Sequence, residues 1–473
     1  MLKKLKYLLF LTVFFQIQLY SQKGEYFIYN YLPKDYNAGP NTNGIAQDKE
    51  GRIFIAGGSG VLVYDGTNWH TMPLPQQITA FSIISDADGT IYVGGDNGEF
   101  FLIEKNKRGK YIPTSLKANL NTTDQPHEPI KQIISHNGKL YFLSADKLIE
   151  KKGNTYKAFS PQNAFNIRAL SIGKHLFITD LDYNLMVLDN GVLQYVMNTE
   201  NLISKKAFFS YKINANTYAV GYRGDGMYKV TYDSINPGKS KFEKWNCAID
   251  EELIESEFNN GCQLSDGNYI VTTNKKGAFL INKNLEMVKR FNSKSGIYED
   301  NVKAGFQDAN GNLWLATYYG VSYIELNSKL YKFDRQNGIT GLVTGASYYN
   351  NSLYVSTDKG VQYINDKETS FQMLQDFTKQ SWGLSKINNE LFISSAKGLF
   401  VYDGKTISQK SDKNTFCILC DPYKPELIYA GTEEGVDVFS YIEKKLTYIK
   451  SYQLNIPVKS IASDYNKNIY FSR

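Results

Sequence analysis

Asn312-Leu313-Trp314-Leu315-Ala316 is one of eleven copies of a single pattern: a polar residue, alternating aliphatic and aromatic residues, then a small residue. The others stand at residues 52–56, 90–94, 139–143, 175–179, 217–221 and 268–272 upstream, and 352–356, 390–394, 426–430 and 468–472 downstream. A pattern that returns about every forty residues is the signature of a repeat architecture, and it governs how every residue inside it is read.

The flanks of each copy make it the centre of a small antiparallel sheet. Upstream lies a turn such as Asp48-Lys49-Glu50-Gly51, Asp86-Ala87-Asp88-Gly89 or Asp308-Ala309-Asn310-Gly311. In such turns Asp or Asn bonds nearby backbone and Gly supplies positive φ, which is hairpin chemistry. Downstream a second glycine opens another apolar run, as at Gly60, Gly320, Gly360, Gly398 and Gly435. Gly320 to Gly360 is 40 residues, Gly360 to Gly398 is 38 and Gly398 to Gly435 is 37. An apolar segment before each turn, such as Ile78 to Ile84, brings the unit to three or four strands. One such unit cannot bury both its faces, so several must pack radially. The predicted fold class is all-β: a β-propeller with one complete ring of about seven blades plus a partial second ring. Helix is nearly absent from the pattern, with one or two turns expected from Asp250 to Glu257.

At 473 residues the chain exceeds one ordinary ring. The expected domains are a signal peptide at 1–21, a first propeller at 22–329 and an incomplete second propeller at 330–473. The signal reading rests on Lys3, Lys4 and Lys6 before the apolar run Tyr7 to Phe15, which is short for a membrane span, with small Ser21 as the cleavage point. Export and a periplasmic location follow. The last copy stops at Ser472-Arg473, directly after its central strand, which reads as a truncation. Losing three lysines with the signal lowers the formal charge from +6 to +3, too weak and dispersed for a nucleic-acid partner.

Chemistry is sparse. Cys417 and Cys420 have CxxC spacing but no second pair or nearby histidine, and read as buried strand cysteines. Cys247 and Cys262 are candidates for a disulfide in an oxidising compartment. The four histidines, His70, His127, His136 and His175, have no metal-ligand spacing. Gly57-Gly58-Ser59-Gly60 resembles a phosphate loop without its helix, Asp86 to Gly89 a calcium loop whose later ligand positions fall in a strand, and Arg223-Gly224-Asp225 an adhesion tripeptide. All three read as blade turns. No catalytic residue, metal ligand or cofactor is predicted, and the chain is not predicted to be an enzyme.

Tyr29-Asn-Tyr-Leu-Pro33-Lys-Asp-Tyr36-Asn-Ala-Gly39-Pro40, Gly44-Ile-Ala-Gln-Asp48 and Val63-Tyr64-Asp65-Gly66-Thr-Asn-Trp69 resemble the periplasmic sensor region of Bacteroidetes two-component regulator propeller proteins. So do Gly89 to Gly94 with Gly98-Glu99-Phe100, and Asp308 to Thr317. The resemblance runs in order along the whole mature chain. It implies a tandem of propellers that senses a ligand, with glycan fragments as the family's usual inputs. An immunoglobulin-like domain, a membrane helix and a histidine kinase or LuxR-type output would follow, and none of these is in this sequence. The expected function is therefore a periplasmic ligand-sensing propeller region of a transmembrane signalling protein. The alternatives are a protein-interaction scaffold and a secreted propeller enzyme acting on polysaccharide. The expected partners are a ligand of the oligosaccharide class, the absent signalling domains and a second copy in a homodimer. Candidate ligand contacts are Tyr222, Arg223 and Asp225 in the fifth repeat and Tyr318 and Tyr319 in the seventh, taken as exposed turn residues.

Overall fold

All eleven copies of the repeated pattern are β-strands, and each is the second strand of an antiparallel sheet. The computed structural model describes residues 24–472 except 161–162, 181, 183, 197–205, 247–248, 366 and 369. The expected signal peptide and the Cys247 half of the expected disulfide lie outside the described residues; Cys262 is a free thiol. The chain divides into two compact units, residues 26–330 and a second unit of residues 24–25 with 331–472.

Among its described residues the larger unit holds seven four-stranded sheets. Six are continuous in sequence, at residues 42–72, 80–115, 132–159, 165–195, 206–244 and 258–291. The seventh takes three strands from residues 302–324 and its fourth from Ile28–Tyr31 at the other end of the unit. The first strands of consecutive sheets contact one another, and that of the seventh contacts that of the first, so the contacts run in a closed circuit. This is the β-propeller architecture, with first strands innermost. The second strands are covered on both faces by neighbouring sheets, and Ile53–Gly57 and Leu313–Thr317 are buried at every position. Outer strands such as Tyr111–Ser115 are half exposed.

Several hairpins share one turn chemistry. Asp86 Oδ1 accepts from the backbone N–H groups of Asp88 at 3.0 Å and Thr90 at 2.9 Å. Asp48, Asn282, Asp308 and Asp464 make the same pair of bonds in their own hairpins. The carboxylate with a calcium-loop look is thus a hairpin clamp. Gly57 to Gly60 likewise joins two strands, with Ser59 Oγ accepting from Gly39 N–H at 2.9 Å. The helix expected after Asp250 runs Asp250–Ser256.

Closure of the circuit is aromatic as well as hydrogen-bonded. The ladder pairs Ile28 with Ile324, Tyr29 with Tyr323, Asn30 with Ser322 and Tyr31 with Val321. Tyr31 stacks on Trp314 at 6.0 Å between centroids and meets Trp69 edge-on at 5.1 Å. Asn30 donates from Nδ2 to Gly296 O at 2.9 Å and accepts from Tyr298 N–H at 3.1 Å. The motif at Tyr29 to Tyr31, which entered as part of a family resemblance, is therefore the clasp of the ring.

The second unit, among its described residues, has four-stranded sheets at 343–373, 381–411 and 415–453 and a two-stranded one at 460–472. Its first strands also contact in succession. Cys417 and Cys420 lie on Thr415–Cys420 as free thiols, half-buried rather than fully buried as expected. Burial pushes the Cys417 thiol up to about 11, which keeps it protonated and unreactive at neutral pH.

Gly320 tests the clasp. Its φ is +98°, and a Cβ there would stand 2.5 Å from Tyr31 O. Gly320→Ala is expected to cost roughly 1–3 kcal/mol in stability and to accelerate amide exchange at residues 28–31. Unchanged protection of that strand would show that it does not hold the ring shut.

Candidate functional site

A β-bulge recurs near the start of the innermost strand. The register shifts between Thr42 and Gly44, Ala80 and Ser82, Ala207 and Phe209, Phe258 and Asn260, and Val302 and Ala304. The extra residues are Asn43, Phe81, Phe208, Asn259 and Lys303. Lys131 holds the equivalent place in the third sheet, just before Gln132 pairs with Leu143. Arg168 lies within the wider shift between Phe165 and Ala169 in the fourth. Bulges re-aim side chains out of the ladder, and equivalent positions on equivalent strands lie at one end of the ring. Side chains at these positions also tie the strands together: Asn43 Nδ2 donates to Ala80 O at 2.9 Å and Asn259 Nδ2 to Val302 O at 2.8 Å.

The two groups of candidate residues belong to this same end. Arg223 closes the second strand of the fifth sheet opposite Lys206, and Thr317, just before Tyr318, closes that of the seventh opposite Val302. The Arg223 Nε donates to Phe258 O at 2.6 Å and Nη2 to Asn259 Oδ1 at 2.9 Å. Its guanidinium carbon lies 3.8 Å from the centroid of Phe208, and that of Arg168 lies 5.5 Å from the same ring. Such contacts are favourable when cations are partly desolvated. Arg168 Nη1 also donates to Lys131 O at 3.1 Å. Lys303 Nζ stands 5.9 Å from the Tyr318 ring, and Lys131 Nζ 5.9 Å from Phe81.

Burial depresses these cations, and the charge of Arg223 adds to the effect on two of them. Burial, then the charge of Arg223, lowers Arg168 to about 10. Burial, then Arg223 again, lowers Lys303, with Glu299 opposing. Burial lowers Arg223 itself, opposed by Glu257. The structure thus brings Arg223 of one candidate group and Tyr318 of the other around Lys303, a residue that the sequence reading passed over.

The remaining candidates go elsewhere. Tyr222 is in the strand Thr217–Arg223 rather than an exposed turn, and it is 0% exposed. Strand alternation turns it into the core against Tyr228, at 4.9 Å between centroids, so it is not a surface contact. Asp225 turns back to accept from the Tyr228 hydroxyl. Arg223 and Asp225 therefore point into different surroundings, unlike a displayed adhesion tripeptide. Tyr318 and Tyr319 are exposed as expected, and Tyr319 stacks with Tyr298 at 5.7 Å.

Phe81, Lys131, Arg168, Phe208, Asn259 and Lys303 were missed, although a signal was present. Asn43, Phe81, Phe208, Asn259 and Lys303 each fall thirteen residues before the small residue of the repeat, at Ala56, Gly94, Gly221, Thr272 and Ala316. Aligning the repeats places them in one column.

The opposite end of the ring carries a cavity of about 420 Å³ lined by His136, Glu150, His175 and Asp189. Its polar groups are joined to one another. His175 meets the Tyr232 hydroxyl at 2.6 Å and Asp189 Oδ1 at 3.2 Å, His136 meets Ser171 Oγ at 2.8 Å, and Glu150 accepts from Tyr141 and Lys139. The His136–Ser171 and His175–Tyr232 contacts join adjacent sheets, the others lie within one sheet, and together they account for both histidines.

Neither a protein-family model nor a curated protein sequence matches the chain. Among solved structures it is similar to the extracellular domain of BT3049 from B. thetaiotaomicron, assigned to a hybrid two component system, at TM-score 0.66 and 14% identity. That match covers 94% of this chain and 64% of the other, so the chain spans under two thirds of its relative. The extracellular domain of BT4673 from the same organism, assigned to a one component system, matches at TM-score 0.47, 14% identity and 95% and 64% coverage. A streptogramin B lyase matches at TM-score 0.48 and 10% identity, over 65% of this chain and 98% of the other. At these identities the BT3049 likeness establishes the fold: this is a β-propeller protein of the architecture seen in that extracellular regulator domain.

The Tyr222 hydroxyl is buried without a hydrogen-bond partner. Tyr222→Phe should therefore leave stability unchanged or raise it by up to about 1 kcal/mol, measured by urea unfolding. A loss of more than that would mean the hydroxyl has a polar role in the core.

Proposed function

We propose that this chain is the ligand-sensing propeller region of an exported signalling protein, and that it binds its ligand at the bulge end of the larger unit. The observation that carries the reading is the convergence of Arg168, Arg223, Lys303, Phe208 and Tyr318 from the fourth, fifth and seventh sheets. A group held there touches several sheets at once, so its binding energy depends on their relative arrangement. A ligand shifts a conformational equilibrium only by its differential affinity for the two states. Output then requires domains beyond this sequence, as the resemblance to regulator propellers implies.

An oligosaccharide suits the mixed lining, since aromatic faces cover the apolar faces of sugar rings while charged groups meet hydroxyls. The proposed chain is periplasmic and non-enzymatic, with a propeller at 22–329 and an incomplete second propeller at 330–473 that act as one input region, and signalling through the geometry of a homodimer. The fold shared with the BT3049 domain supports the propeller part of this reading.

The test is a thermal-shift screen of the exported chain against a panel of oligosaccharides, with each sugar recovered afterwards for mass spectrometry. Binding at a hundred times Kd adds about 2.7 kcal/mol to the folded state. The expected result is a raised unfolding midpoint with the sugar intact. Cleavage of the sugar would replace the sensor with an enzyme, and no shift across the panel would remove the oligosaccharide.

A further inference from the structure

Four cations from four sheets meet the same end of the ring: Lys131, Arg168, Arg223 and Lys303. Two of them share the Phe208 ring, Arg168 is hydrogen-bonded to the backbone of Lys131, and Lys303 lies within electrostatic reach of Arg223. Gathering like charges is unfavourable unless something opposes them, the more so where Arg168, Arg223 and Lys303 are half-buried.

The nearby carboxylates offset these cations only from a distance and form their closest contacts with other groups. Glu257 is paired with Lys275, and Glu299 accepts from Asn301 N–H at 3.0 Å. Among the described residues Lys131, Arg223 and Lys303 make no ion pair within 4.0 Å, and no hydrogen bond from Lys303 Nζ is found. Arg223 uses two of the five guanidinium N–H donors on protein atoms, leaving others to a ligand. Its Nε and Nη2 bonds and the Phe208 ring beneath it fix the plane of the fork, which lowers the ordering cost of a further partner.

Building on the sensing reading, we infer that the ligand carries an anionic group, a carboxylate or a sulfate, held between Arg223 and Lys303 with an apolar portion against Tyr318 and Phe208. Arg223 supplies directional N–H donors to the oxyanion and Lys303 a point charge, while Arg168 and Lys131 extend the positive field along the circuit. The exposed tyrosine rings explain how a ligand larger than an inorganic ion is retained. A neutral sugar would fit the aromatic surface but leave the cations opposed to one another.

Calorimetric titration of the exported chain separates these cases. The probes are digalacturonate as the carboxylate, N-acetylglucosamine 6-sulfate as the sulfate ester, inorganic sulfate as the bare anion, and neutral digalactose and N-acetylglucosamine as controls. The expected result is that one sugar anion binds at least tenfold tighter than its neutral counterpart, with affinity falling as salt rises. Lys303→Gln should weaken that anion about tenfold at an unfolding midpoint that is unchanged or, with one repelling charge gone, raised. Arg223→Lys, which keeps the charge but not the fork, should weaken it too.

Equal binding of neutral and anionic sugars, or anion binding indifferent to Lys303→Gln, overturns the inference. In that event a neutral sugar lost on Tyr318→Ala would leave the sensing reading standing. Inorganic sulfate binding as tightly as both sugar anions removes the apolar half of the site, and no binding by any anion at millimolar concentration removes the site altogether.

Discussion

The strand Ile28–Tyr31 is the constraint on which the larger unit depends, because it completes a sheet whose other three strands lie almost three hundred residues later. Without it the seventh sheet would end at Gly320–Ile324 with an unpaired edge, and the face built from Tyr31, Trp69, Trp314 and Tyr323 would lose its centre. A propeller built of nearest-neighbour contacts gains no global constraint until its last sheet is fixed to its first. Here that fixing combines a four-residue ladder with ring contacts at about 5 to 6 Å. The circuit in turn sets where each bulged residue stands, so the spacing of Arg223 and Lys303 is a property of ring closure rather than of either strand alone.

The charge arrangement adds a second consequence. Arg168, Arg223 and Lys303 are depressed by burial, and Arg168 and Lys303 also by the charge of Arg223, so the same closure that stabilises the sheets holds repelling groups close. Stored repulsion of this kind is found at functional sites because a ligand can relieve it. The histidine-lined cavity at the other end shows the contrasting condition. There His136, His175, Glu150 and Asp189 are joined to partners on neighbouring strands, and their chemistry is used in holding the sheets together.

Much of this architecture was legible in the residues. The pattern at Asn312 to Ala316 identified the second strand of every sheet, and the Asp and Asn turns identified the hairpins, because period-two burial and Asx geometry act over a few residues. The clasp was not legible: Tyr29 to Tyr31 enters only as part of a resemblance, and its partner at Gly320–Ile324 lies too far along the chain for local pattern to show. Local turn chemistry located Arg223 and Tyr318 but could not show that they share an end of the ring. Tyr222 failed for a simple reason, since the turn begins at Gly224, two residues later than its composition implied, and alternation then buries Tyr222. Lys303 and Phe208 went unnoticed because a bulge is a register property, visible only when repeats are aligned.

The central claim is that closure of the ring creates a cationic, aromatic-lined site for an anionic ligand. A crystal structure of the chain with bound digalacturonate tests it most directly. The account predicts a carboxylate within hydrogen-bond distance of both the Arg223 guanidinium and Lys303 Nζ, with a sugar ring over Tyr318 or Phe208. Density for the ligand at the histidine cavity or elsewhere, with the Arg223 and Lys303 side chains facing only solvent, would contradict it.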